Sequence, residues 1–270
     1  MVETTFTWRE YVPLFYVPIP RRHNPVVVVP TPNRVTIRVK SSSTGSMAIS
    51  GNLSNEVVNL ISIFLSVLQS EVGMLPRLSI SVETGTSSES DEEVELNSSY
   101  LYVAVTSAIT YFLSGEVSCE ITESAKVLDR TIGVDDSVLA LREFHKVEDG
   151  HAYIWRLNEG YIESDRKIIL KLRKAGRYSM SYIEHEFTDL ITHLAGVASI
   201  RAFEKLLNGE SIISELRTLN AIWHMLYGVQ LPHEAASGRY VFVKEINSCT
   251  LYEILEVGQT QFGGSGNADS

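Results

Sequence analysis

No charged side chain occurs between Leu96 and Gly115, LNSSYLYVAVTSAITYFLSG. A helix that apolar must be covered on all sides, by lipid or by the rest of its own chain. Asn97, Ser98, Ser99, Thr106, Ser107 and Thr110 interrupt it, and no Lys or Arg flanks it. Both features argue against a membrane span and for a helix buried inside a globular core. The chain is large enough to supply that cover, with 270 residues of which 44% are hydrophobic. Its 23 basic and 33 acidic residues leave a net charge of −10, so nucleic acid and anionic membranes, both polyanionic, are not expected partners. Two cysteines, Cys119 and Cys249, make no disulfide framework, and no Cys/His spacing describes a zinc site. The opening MVETTFTWREYVPLF lacks a basic segment followed by an apolar one. A cytoplasmic protein is therefore expected, in which the sequons at Asn52 and Asn97 carry no glycan.

Residues 1–30 are rich in proline and aromatics, and Trp8, Tyr11, Leu14, Phe15 and Tyr16 make them apolar enough for a partner-docking arm. The competing reading is an extra strand packed on the chain's own core. Val26–Val29 and Arg34–Lys40 read as strands, Asn55–Gln69 as a largely buried helix and Arg77–Glu83 as a strand. An acidic, serine-rich loop spans 83–95. The uncharged helix follows from Ser98 to Leu113, then a short helix at 118–128 and a loop holding Gly133–Val138. Strands are expected at 152–157, 167–172 and 239–246, and helices at 179–198, 199–207 and 212–227. Strand pairs precede and follow helices, so the fold class is α+β. The expected organisation is an arm (1–30), an N-terminal lobe (31–150), a C-terminal lobe (151–258) and a flexible tail (259–270).

Three short motifs carry chemistry. Gly133-Val-Asp-Asp-Ser-Val138 puts paired carboxylates after a glycine, as a catalytic base, a magnesium ligand or a helix-capping Asx turn would need. Asn97-Ser98-Ser99 opens the uncharged helix, where backbone amides and two hydroxyls make a phosphate site or a plain cap. Thr44-Gly45-Ser46, after a strand, is an equally weak signal. His185-Glu186 lacks the second histidine of a zinc-protease helix. The basic run Arg166, Lys167, Lys171, Arg173, Lys174 and Arg177 alternates with apolar residues, as one face of a strand does; the acidic loop could dock on it.

The order of these motifs resembles the small-molecule kinases of the galactokinase–homoserine kinase–mevalonate kinase–phosphomevalonate kinase (GHMP) superfamily. Thr31-Pro-Asn-Arg-Val-Thr-Ile37 is similar to its Pro-Gly-Arg-Val strand, and Asn97-Ser-Ser-Tyr to its Gly-Leu-Gly-Ser-Ser-Ala phosphate loop. Gly133-Val-Asp-Asp resembles its Gly-Ile-Asp-Asn, and Leu219–Val229 a late Leu-Asn…Leu-Gly-Val helix. The resemblance implies an S5-like N-terminal lobe and a ferredoxin-like C-terminal lobe. It also implies ATP-dependent phosphorylation of a small alcohol of the mevalonate, shikimate or homoserine class. Asp135 would be the base at the accepting hydroxyl. Asn97, Ser98 and Ser99 would hold ATP, with Ser98 on Mg²⁺. Two departures favour a second reading, a catalytically silent binding or structural subunit. Glu95-Leu96-Asn97 stands where the glycines of the phosphate loop belong, and only Ser237-Gly238 stands for a late glycine-rich segment.

Overall fold

Strand β2 (Val26–Ser41) organises the molecule, because each of its edges and each of its faces has a different neighbour. Along one edge runs β1 (Glu3–Leu14), antiparallel from Glu3↔Lys40 to Leu14↔Val27. The other edge is divided between β5 (His151–Arg156), opposite Val26–Val28, and β4 (Leu78–Thr86), opposite 33–41. The computed structural model describes residues 2–41, 48–86, 95–229 and 239–259. Thr44-Gly45-Ser46, most of the acidic loop, Ser237-Gly238 and the tail from residue 260 lie outside them. Among the described residues the sheet has eight strands. Its order is β3 (Ala48–Ser50), β4, β2, β5, β6 (Gly160–Ser179), β8 (Ser248–Gln259), β7 (Tyr240–Lys244), with β1 on β2.

Alternation on β1 and β2 creates two cores. Trp8, Tyr11, Val26 and Val28 face a core built with α1 (Asn55–Val72), α2 (Ser98–Ser114), α3 (Cys119–Ile132) and α4 (Asp136–Phe144). Val12, Leu14, Val27 and Val29 face a core built with α5 (Thr188–Asn208), α6 (Ile213–Tyr227) and strands β6 to β8. These are the two lobes of the expected α+β fold. The uncharged segment is α2, buried at every residue from Ser99 to Tyr111. No helix among the described residues is long and apolar enough to cross a membrane.

One open choice is answered and three expectations need correction. Of the two readings of the first thirty residues, the packed strand is the one seen: Trp8, Tyr11, Leu14, Phe15 and Tyr16 are all buried in the chain's own core. The helix expected from 179 begins only at Thr188 and continues without a break through the 199–207 segment to Asn208. Its apolar spacing at 183 and 187 misleads, because β6 stays paired with β8 as far as Ser179 and the Ile183 amide donates to the Leu226 carbonyl at 2.7 Å. The strand expected at 167–172 is the middle of the twenty-residue β6. Gly133–Val138 is not one loop, since Asp136, Ser137 and Val138 already belong to α4. The basic run lies on β6, with Arg173 paired to Glu253, Lys174 to Glu95 and Arg177 to Glu56.

Candidate functional site

Helix α3 stops at Gly133, whose φ of +84° suits only glycine at low cost. Its amide donates to the carbonyls of Asp129 and Arg130, both at 3.1 Å, and the Val134 amide donates to Asp129 at 3.2 Å. The chain then extends for two residues and re-enters helix. Asp135 is the N-cap of α4, with Oδ1 accepting from the Ser137 amide at 2.9 Å and from the Ser137 hydroxyl. Its second oxygen, Oδ2, pairs with Nζ of Lys244, the last residue of β7. Burial works against the charge on Asp135, but the Lys244 ammonium and the Ser137 bonds outweigh it and hold the carboxyl below its ordinary range. Capping and pairing are thus done by different oxygens of one carboxylate.

Next to it, Asp136 is pushed the other way by burial. It accepts from His23 Nδ1 at 3.0 and 3.1 Å and from the Asn24 amide at 3.3 Å. The two aspartates look into a cavity of about 500 Å³, walled by Tyr16, Leu60 and Tyr227 and edged by Arg21, Arg22 and His23. The edge is a turn from Ile19 to Arg22, closed by the Arg22 amide on the Ile19 carbonyl at 3.1 Å. Arg21, third in that turn, has φ +61°, a position where glycine is ordinary.

The start of α2 is bonded to Lys244 and to the residue after it, Glu245. Asn97 caps α2, with Oδ1 accepting from the Tyr100 amide at 3.1 Å and Nδ2 donating to the Lys244 carbonyl at 3.3 Å. The backbone amides that would face a phosphate are taken. Asn97 N donates to Glu10 Oε1 at 2.7 Å, and Ser98 N donates to Glu245 Oε2 at 2.8 Å. Ser98 is partly exposed; the Ser99 hydroxyl is buried and finds no partner. Burial raises the pKa of both glutamates against the bonds they accept. Two carboxylates therefore stand where the triphosphate implied by the resemblance would lie, and the residues present do not fit it. Nor does any group of three or more His, Cys, Asp or Glu among the described residues form a metal site. Glu95, which stands where a glycine of the phosphate loop belongs, pairs with Lys174 at 2.6 Å on the surface.

The structure thus links Asp135 to Asn97 through Lys244, and to Ser98 through the adjoining Glu245. Sequence reasoning did not find Lys244, His23, Glu10 or Glu245. Only the adjacency of Lys244 and Glu245 at a strand end gave a signal for two of them, and nothing local marks Glu10.

No family model matches the chain, and no curated protein matches it. Solved structures do. Mevalonate pyrophosphate decarboxylase from Streptococcus pyogenes superimposes with a TM-score of 0.57 at 10% identity, over 96% of this chain and 97% of that one. Streptococcus pneumoniae phosphomevalonate kinase gives 0.54 at 11% identity, over 96% and 100%. A D-glycero-D-manno-heptose 1-phosphate kinase from Bacteroides thetaiotaomicron gives 0.50 at 11%, over 92% and 88%. At such identities the likeness establishes a shared fold, spanning nearly the whole of each chain.

Proposed function

We propose that this chain, which carries the two-lobed fold of the GHMP superfamily, is a binding protein for a small-molecule alcohol. The observation behind this reading is the Asp135–Lys244 pair on the wall of the cavity. A hydroxyl set beside the pair can donate to the Asp135 carboxylate and accept from the Lys244 ammonium. Arg21, Arg22 and His23 at the edge suit a ligand with an anionic group, and mevalonate, shikimate and homoserine are the first compounds to try. With the Asn97 and Ser98 amides at the start of α2 bonded to Glu10 and Glu245, this reading makes the protein silent towards phosphoryl transfer.

A second reading, ATP- and Mg²⁺-dependent phosphorylation of that alcohol, is favoured by the ionised state of Asp135, which suits a group that orients or deprotonates a hydroxyl. One titration separates the readings. Melting temperature is followed against each alcohol, alone and with Mg-ATP, for wild type and Asp135→Asn, which keeps the cap but loses the charge. Saturable stabilisation by an alcohol, weakened in the variant and unaffected by Mg-ATP, is the expected result. Turnover of ATP with any alcohol would establish the second reading. No stabilisation up to roughly millimolar alcohol would retire the first.

A further inference from the structure

Glu10 owes its position to an irregularity in the ladder. Arg9 pairs with Arg34 but Tyr11 pairs with Pro30, so one residue of β1 faces three of β2. A bulge of this kind re-aims a side chain, and here Glu10 is turned inward and is 2% exposed. The Thr31 hydroxyl and the Asn33 amide group both donate to its Oε2 at 2.7 Å, while Oε1 takes the Asn97 amide. Glu245 arrives from the opposite side, in the turn between β7 and β8, where its own amide donates to the Ser248 carbonyl at 2.8 Å. It is 5% exposed, accepting from Ser98 N and from the Thr250 hydroxyl at 3.2 Å.

Among the described residues no cation is bonded directly to either glutamate. Arg177 is nearest in effect to Glu245, yet its own bonds go to Glu56 and to the Ser248 hydroxyl. The positive end of α2 and a ring of neutral donors are what hold this pair of like charges. Five donors aimed at two buried carboxylates amount to a built anion site with its anion supplied by the chain.

We propose that Glu10 and Glu245 are a resident anion pair that occupies the phosphate cradle of this fold, excludes nucleoside phosphates from α2, and clamps α2 to β1 and to the β7–β8 turn. The proposal does not depend on what fills the Asp135 cavity, and its test reads different atoms. Amide ¹⁵N resonances of Asn97 and Ser98 are titrated with Mg-ATP and with inorganic pyrophosphate. The proteins compared are wild type, Glu245→Ala and Glu10→Ala/Glu245→Ala. In wild type both resonances should stay in place to roughly millimolar ligand. In the alanine variants they should move saturably with pyrophosphate, at an affinity at least about tenfold above wild type, since a like-charge juxtaposition has been removed. Glu245→Gln, which keeps an acceptor in place, should gain less. Saturable movement in wild type overturns the proposal. So does a folded Glu245→Ala protein whose cradle ignores pyrophosphate, and that single variant decides the matter if the double one does not fold.

Discussion

Asp135 and the two glutamates are carboxylates with opposite displacements, and pH tells them apart. Asp135 is held below its ordinary value of 3.8, so its charge stabilises the fold above that value and the contribution is lost as pH falls through the lower, folded value. Glu10 and Glu245 are raised above 4.5, so their contribution is full in acid and is lost as pH rises through the raised values. Relative to wild type, Asp135→Asn should therefore lose most melting temperature near neutral pH and converge with it below about pH 4. Glu245→Gln should show the opposite slope, gaining on wild type as pH rises. Melting curves from about pH 3 to about pH 8 check both, and slopes of the same sign would refute the assignment. Arg21 makes a separate residue-scale case. A non-glycine at φ +61° costs about 1–2 kcal/mol, part of which glycine returns as entropy in the unfolded chain. Arg21→Gly should raise stability by up to about 1 kcal/mol while weakening the binding of any anionic alcohol. Loss of both would mean that the arginine serves the fold.

At the scale of the element, Gly133 sets the angle between α3 and α4 and thereby aims Asp135. A Cβ there would meet nothing within 4 Å, so Gly133→Ala carries only the backbone cost, about 1 kcal/mol, seen in a denaturant midpoint. A larger loss would point to a contact absent from this packing. Behind the same helices Arg142 donates to both oxygens of Asp129, at 2.8 and 2.9 Å, and to the Val103 carbonyl, with both side chains 0% exposed. Asp129→Ala leaves that guanidinium buried and unpaired, and should cost about 3–5 kcal/mol or abolish folding. Elements with their own punctuation were legible in the sequence. Ser54, Asn97 and Ser118 cap α1, α2 and α3, and Gly228 ends α6. Strand β8 was not, because it exists through a distant partner, Ser179 with Ser248, and β1, whose Glu3 pairs with Lys40, was legible only as one of two readings of the first thirty residues. The motif at Gly133–Val138 was legible as a site because a cap and a carboxylate pair are local signals. Lys244, more than a hundred residues away in sequence, reaches Asp135 only through the fold.

For the whole molecule the question is whether two cores make two folding units. The expected boundary near residue 150 suggests independent lobes, and each core does have its own helices. The shared strands argue otherwise. Tyr11 and Val28 belong to one core, while their chain neighbours Val12 and Val27 belong to the other. Unfolding either lobe would strip one face from β1 and β2 and expose a row of fully buried side chains, each worth about 1.5–3 kcal/mol. The site sits on the same seam. Trp223 of α6 donates to the Tyr16 carbonyl at 3.1 Å, and Tyr16 walls the cavity beside Asp135. A single cooperative transition is the expected outcome. The chain supplies its own probes, since Trp8 and Trp155 lie in the first core and Trp223 in the second. Labelled with 5-fluorotryptophan, the three ¹⁹F signals should melt with one midpoint, and a ligand bound at Asp135 should raise all three together. A Trp223 signal melting apart from the other two would show that β1 and β2 can part from one core while holding the other. The cavity would then open by lobe separation rather than by global unfolding.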